Sequence, residues 1–462
     1  MTSPATRVPV ELLRKYDRPG PRYTSYPTVP VWTEQVGTDD YGSALRAASQ
    51  RPDEPLAIYC HIPFCRRRCY YCGCNTVVTN DPCRGENYVG VLGKEIGAVA
   101  ELLGDRRGVS LIHFGGGTPT YLNTAELTEL LGHLHRHFNF LPTAEMSMEV
   151  DPRVTTFEQI DFLADQGSNR ISMGVQDFTL EVQQACGRVQ PYELVARLIE
   201  HCRTRNFRGI NIDLIYGLPK QTVETFSNTL ERALELRPDR VAVYSFAYLP
   251  KSMPHQSKIR PEDLPVTEVK YQLYAAAIEK FTGAGYRQIG MDHFALPEDE
   301  LSVAQSDGRL NRNFMGYTVQ QAAEMIGFGM SAIGYVNNAY FQSYSKLDSY
   351  ERAIADKGTA IYRGIHLSSD DLIRQYVITN LMCNFQLRFD DLPMKFGVRY
   401  QDYFAPVHRQ LDGFVADGLL VVHDDHLEIT LRGRTFVRNI AMTFDAYLAA
   451  EPGQTATFSR TI

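Results

Sequence analysis

The chain has 462 residues, of which 44% are hydrophobic and 22% charged, a usage that excludes extensive disorder, collagen-like repeats and coiled-coil architecture. That length accommodates about three ordinary domains, or one large α/β barrel with additions. Lys and Arg total 47 against 54 Asp and Glu, a net charge of −7, so there is no global pull toward nucleic acid or an anionic membrane, and any anion site must be built locally.

From the N-terminus, Met1 to Gly20 alternates polar and charged residues with Pro4, Pro9 and Pro19 and lacks the apolar region of a secretory signal. No later stretch reaches the eighteen or so apolar residues of a spanning helix. The expected location is cytoplasmic, with no membrane contact. The first strand is expected at Ala57 to Ile62, followed by a helix from about Cys83 to Leu103, whose Tyr88, Leu92, Ile96, Val99 and Leu103 form an apolar stripe fit to pack on a sheet. Further strands are expected at Ser110–Phe114, Glu145–Val150, Asn169–Gly174, Gly209–Ile215 and Arg240–Phe246, separated by helices over Leu122–His137, Thr156–Asp165, Tyr192–Thr204 and Val223–Leu236. Alternation of this kind builds right-handed βαβ units and a parallel sheet, closed or partly closed as a barrel.

Side chains alternate faces along a strand. Glu145, Ser147 and Glu149 therefore share one face, Asn211 and Asp213 another, and Ser172 and Gln176 oppose Ile171, Met173 and Val175. Barrel interiors are ordinarily packed with branched apolar residues, so these polar faces describe either a hollow functional mouth or plain solvent exposure. After about Gly364 the pattern changes to helices, beginning at Ser368–Asp371, with a hairpin over Leu419–Thr430 and a helix over Arg432–Leu448. The expected organisation is an N-terminal arm over 1–50, a barrel over 51–364, and a mainly helical, winged-helix-like capping domain over 365–462. A DNA-reading role for that last domain would need a basic stripe, and the sequence has none.

Nine cysteines are present, five of them between Cys60 and Cys74. An odd number in such a chain is a poor disulfide framework. Cys65, Cys69 and Cys72 follow the first strand at a spacing of four then three residues. A zinc ribbon uses two separated ligand pairs, whereas three such thiolates wrap one face of an iron–sulfur cubane and leave one iron open. Cys74 is either a fourth ligand or a neighbour. Arg66, Arg67 and Arg68 either lower thiolate pKa values from within or form a solvated face. Cys60, Cys83, Cys186, Cys202 and Cys383 are expected as inert buried thiols.

The Cys65, Cys69, Cys72 spacing resembles the signature of the radical S-adenosylmethionine (SAM) superfamily, and the longer run from His61-Ile-Pro-Phe to Cys74-Asn75 resembles the oxygen-independent coproporphyrinogen III oxidases. The resemblance continues through Arg22–Thr28, Gly115–Thr120, Glu149–Pro152, Gly174–Phe178, Asp213–Pro219, Gly290–Phe294 and Phe444–Leu448, nearly the whole chain. It implies a partial (β/α) TIM-like barrel and a [4Fe–4S] cluster on Cys65, Cys69 and Cys72. It further implies a 5′-deoxyadenosyl radical mechanism that oxidatively decarboxylates two propionates of coproporphyrinogen III to vinyl groups, giving protoporphyrinogen IX in haem synthesis. Two SAM molecules are implied. The first would meet Tyr59, Gly116, Glu149, Ala247 and Ile333, and the second Tyr71, Gly117, Thr118, Gln176, Arg188 and Asp213. Tyr59, His61, Cys74 and Phe314 are the implied catalytic positions, and Arg22 a propionate partner. The chain departs from the pattern at Met315, where Gln is expected near the second SAM. The implied partners are the tetrapyrrole and an external one-electron donor such as a flavodoxin or ferredoxin, acting on a monomer. A haem-binding chaperone of the same superfamily is the alternative; such relatives lack the Tyr23–Thr28 arm and carry Phe at the position of Cys74.

Overall fold

Six strands run parallel in chain order, each returned by a helix: β1 (Leu56–Ile62), β2 (Gly108–Gly116), β3 (Asn139–Val150), β4 (Arg170–Gln176), β5 (Gly209–Tyr216) and β6 (Arg240–Ser245). The computed structural model describes residues 8–319, 322, 324–450 and 458–461; the first seven residues of the arm and residues 451–457 and 462 of the capping region lie outside these. The main returning helices are α1 (Cys83–Leu103), α2 (Thr124–His137), α3 (Phe157–Asp165), α4 (Tyr192–Thr204), α5 (Val223–Glu235) and α6 (Thr267–Gly283). In α1 the stripe Tyr88, Leu92, Ile96, Val99 and Leu103 is fully buried against the sheet. Capping is local and readable: Asn123 and Glu126 close a reciprocal box at the start of α2, as Thr156 and Gln159 do for α3.

The sheet is larger and more mixed than the expected parallel half. It has twelve strands, adding β7 (Arg287–Ile289), β8 (His293–Ala295), β9 (Glu324–Phe328), β10 (Ile333–Val336), β11 (Ala339–Ser343) and β12 (Ile361–His366), in the order β12-β11-β10-β9-β1-β2-β3-β4-β5-β6-β8-β7. Only β9 extends the parallel part, pairing with β1; the remaining additions are antiparallel. These strands were not legible because they are three to six residues long and β9 is buried at every position, which erases the period of two.

The polar faces of β3, β4 and β5 turn inward. His113, Glu145, Ser147, Glu149, Ser172 and Asp213 line an interior cavity of about 120 Å³, so they are not a solvent face. Register explains the layering: His113 stands opposite Ser147, Glu149 opposite Ser172, and Ser172 opposite Asn211.

Beyond β12, helix α7 (Ser369–Asn384) starts at a box between Ser368 and Asp371 and buries Ile373, Val377, Leu381 and Met382. A three-stranded sheet contains the expected hairpin as Leu420–Val422 and His426–Ile429, with Gln386–Arg388 added. The single helix expected over Arg432–Leu448 is instead broken. Asp445 is extended and caps the amides of Tyr447 and Leu448 from its side chain at 2.9 and 3.3 Å, ending one helical piece and starting the next. Two cores result. The helix at Thr38–Ala48 packs into the barrel core, while Val8, Leu13, Tyr16, Tyr23 and Tyr26 pack with α7 and the C-terminal helices.

Candidate active site

The cysteine loop is clamped at both ends. After β1 the two-residue strand Phe64–Cys65 pairs in parallel with Val77–Val78, and the Val77 and Thr79 amides donate to the Pro63 and Cys65 carbonyls at 2.8 and 3.1 Å. The turn after β2 locks onto the same segment, with Gly117 N–H donating to Ile62 O at 2.8 Å and Thr118 N–H to Phe64 O at 2.9 Å. That clasp requires glycine. Gly116 has φ of +113°, and a Cβ on Gly117 would fall 2.6 Å from the Pro63 carbonyl oxygen.

A cavity of about 160 Å³ opens where these segments meet the C-terminal ends of β2 to β5. The structure brings Cys65, Cys69, Cys72, Cys74, Tyr71, Gly116, Gly117, Thr118, Glu149, Gln176, Arg188 and Asp213 to its wall. Gln176 reaches it through a break in register between β4 and β5, where it adopts a left-handed φ of 70°.

The thiols differ in their surroundings. Burial pushes the Cys65 thiol up to about 11, although the Thr118 hydroxyl sits 3.4 Å from its sulfur. Cys72 is pulled down to about 6, chiefly by a hydrogen bond from the Cys74 thiol, and then by the Cys74 amide and the Arg68 and Arg188 charges. Cys69 accepts from Arg153 at 3.6 Å and from Arg188 at 3.7 Å. Arg66, Arg67 and Arg68 are exposed, and Arg68 turns back to Thr76. Of the outlying cysteines, Cys60, Cys186, Cys202 and Cys383 are buried, but Cys83 is exposed at the start of α1, whose first turn packs on α2 through Gly85 instead.

Opposite the thiols stand the carboxylates. Burial works to raise Glu149, but His113 Nε2 at 3.2 Å and the Gly116 amide at 3.3 Å outweigh it and hold the group below its ordinary range. Asp213 is pushed up to about 6 by burial and by the Glu149 charge, against donation from Asn211 at 2.8 Å and Ser172 at 3.3 Å. Asp151 is held below its ordinary range by Arg188 and Arg153, whose guanidinium groups lie 3.0 and 2.6 Å away and overcome the cost of burial.

Tyr59 and His61 lie beneath the cavity on β1. The His61 ring packs under Gly116, its Nε2 meets the Asn75 carbonyl and its Nδ1 the Tyr59 hydroxyl, each at 3.0 Å. Burial lowers the His61 pKa, so the ring is neutral, donating to Asn75 and accepting from Tyr59. Ala247 follows β6, and its carbonyl shares the Gln256 amide with that of Tyr71. Ile333 begins β10 and Phe314 stands elsewhere, edge-on to Trp32 at 5.9 Å and lining a separate cavity of about 620 Å³ between the barrel and the capping domain. Met315 faces the barrel interior beside Asp213. Arg22 pairs with Asp292 at 2.7 Å.

Three residues of the site were not singled out by sequence reasoning. His113 occupies an inward parity position of β2 and was findable as a polar residue between apolar ones. Asp151 lies inside a quoted motif. Arg153 is a loop cation with no periodic signal.

The donor set fits an iron–sulfur cluster with one open corner and an adenosyl-type ligand. Three soft thiols share one loop, two arginines offset their charge, and Arg188 Nε and Asn211 Oδ1 are buried without a partner.

Residues 59–233 match the Radical SAM superfamily, and residues 367–436 match the HemN C-terminal domain. The oxygen-independent coproporphyrinogen III oxidase of Escherichia coli K12 is 44% identical over 98% of both chains, and that of Pseudomonas aeruginosa PAO1 is 43% identical over the same shares. The solved structure of coproporphyrinogen III oxidase (HemN) from Escherichia coli, described as a radical SAM enzyme, superposes with a TM-score of 0.91 at 42% identity, covering 96% of this chain and 100% of that one. Taken with the open-cornered thiol site, this likeness over the whole length means that the chain belongs to the family of oxygen-independent coproporphyrinogen III oxidases.

Proposed function

We propose that this protein converts two propionate side chains of coproporphyrinogen III to vinyl groups without oxygen, giving protoporphyrinogen IX. The observation that carries this reading is the convergence of Cys65, Cys69 and Cys72 with the Glu149 and Asp213 carboxylates on one cavity. When bound, the [4Fe–4S] cluster on those thiolates and SAM supply the one-electron chemistry that removes hydrogen from the propionate.

The chain's own residues bind, orient and shield. Arg153 and Arg188 offset thiolate charge at Cys69. Glu149, kept ionised by His113 and the Gly116 amide, suits the ammonium group of a first SAM, with Gly116, Tyr59, Ala247 and Ile333 around it. Asp213, raised toward 6 but largely ionised at neutral pH, accepts from ribose hydroxyls of a second SAM, beside Tyr71, Gly117, Thr118, Gln176 and Arg188. Neutral His61 holds the Tyr59 hydroxyl by its proton, fixing the floor of the site. Cys74 and Phe314 complete the proposed catalytic set, and an external flavodoxin- or ferredoxin-like donor serves a cytoplasmic monomer. Among the described residues no helix is long and apolar enough to cross a membrane.

The test is an anaerobic assay of the cluster-loaded chain with SAM, a one-electron reductant and coproporphyrinogen III. Vinyl product and methionine in step support the reading. Stoichiometric haem retention without product would instead make the chain a haem-binding chaperone.

A further inference from the structure

The arm, the barrel and the capping domain meet around a cavity of about 50 Å³, separate from the one at the cysteine loop. Its wall carries Arg22 from the arm, Lys270 from α6, and Arg434, Arg438 and Arg460 from the C-terminal region, against Asp292 as the one carboxylate among the described lining residues. Asp292 is already shared by Arg22 at 2.7 Å and His293 at 2.8 Å. Asp17 reaches Arg460 from outside at 2.6 Å. Among the described residues the remaining cations have no paired carboxylate, Glu428 acting on Arg434 only from longer range. Lys270 Nζ donates to the Phe246 carbonyl at 2.9 Å, which satisfies one of its three protons. Arg438, 7% exposed, is bonded almost throughout to backbone carbonyls, through Nε to Pro21 at 3.0 Å, Nη1 to Arg460 at 2.9 Å, and Nη2 to Gly20 and, at 3.3 Å, to Ser459. Arg434 stacks over Phe385 at 4.3 Å, and its Nε is buried without a partner.

Buried cations without counter-charge are costly, and proteins resolve that cost by pairing them or shifting their pKa. Both signs are present. Burial and the neighbouring arginines pull Lys270 down to about 8, with only Asp17 opposing. We propose that this cavity is a binding site for one small oxyanion, phosphate- or carboxylate-like, gripped by Lys270 and Arg434 with the Arg438 charge beside it, which ties α6 to the capping domain. The volume admits a tetrahedral anion or a single carboxylate arm and excludes a macrocycle. The proposal stands apart from the decarboxylase reading, since none of these residues touches the cysteine cavity.

The probe is inorganic phosphate, with the cluster-loaded full chain in anaerobic chloride buffer of fixed ionic strength. Equilibrium dialysis with radiolabelled phosphate should saturate at one per chain, and a hundredfold excess over Kd should raise Tm by roughly 3 °C. Lys270→Met removes a repelled charge, so it should melt at or above the unsubstituted chain without phosphate, yet bind phosphate roughly tenfold more weakly and lose the Tm response. Arg434→Gln is the second variant and should weaken phosphate similarly. Displacement of phosphate by coproporphyrinogen III would name a substrate propionate as the occupant, and independent binding a free anion; either supports the site. Uptake that does not saturate, or that both substitutions leave unchanged, overturns the proposal.

Discussion

Glu149 and Asp213 share a cavity wall but lean toward opposite protonation states, because one is hydrogen-bonded by a histidine and an amide and the other is buried beside the first one's charge. For Asp213 the folded pKa of about 6 lies above its ordinary 3.8, so the group contributes stability that is intact below pH 4 and is lost as pH rises through 6. The loss is on the order of 2–3 kcal/mol. Asp213→Asn in cluster-free protein should therefore match the unsubstituted chain at about pH 4 and exceed it by about 2 kcal/mol near neutrality, read from urea midpoints. In loaded protein, Asp213→Ala should weaken the proposed second SAM more than the first in equilibrium binding; equal loss would contradict the assignment. Cys69→Ser should abolish the cluster's visible absorption and SAM cleavage, whereas Cys74→Ser should retain iron and lower turnover. The cysteines were legible because they sit close together in one loop of the sequence, and Glu149 and Asp213 because strand parity is local. Arg153 was not, since a loop cation acquires its meaning only from the fold that delivers Cys69 to it.

At the scale of elements, the clasp between the Gly115–Gly117 turn and the cysteine loop is backbone against backbone. Gly117→Ala places a methyl on the Pro63 carbonyl, which no rotamer relieves, so it should cost about 1–3 kcal/mol and lower iron content and activity together. A second element-level bond holds β9 to the barrel. Fully buried Arg106 pairs with Glu324, which also accepts from Arg51 at 2.5 Å and the Asn337 amide at 2.7 Å. Arg106→Met should leave that carboxylate only Arg51 and the Asn337 amide and destabilise the chain by about 1–3 kcal/mol, measured by chemical denaturation. The parallel half of the sheet was readable because each strand is followed by a capped, striped helix such as α1 or α2. The antiparallel half was not, because strands as short as Arg287–Ile289 carry too few residues to show a period.

For the whole molecule, the division of cores matters most. Tyr16 stacks on Phe414 at 5.0 Å, tilts onto Phe436 at 5.2 Å and donates to Asp417 at 2.5 Å, so an arm residue sits inside the capping domain's core. Tyr16→Ala should cost about 3–5 kcal/mol and expose the capping domain to limited proteolysis before the barrel. Composition and periodicity gave no sign of this exchange, because contacts between residues four hundred positions apart leave no local pattern.

Near the end of the chain, Gly20 N–H donates to Ser459 O at 3.1 Å and Thr461 N–H to Arg18 O at 2.8 Å, a short antiparallel stitch. During synthesis the segment at Arg18–Gly20 must then wait, unhoused, until Ser459–Thr461 has been made. The barrel, complete in sequence by β12, has every strand of its sheet available during that interval, so the stitch is the later of the two closures.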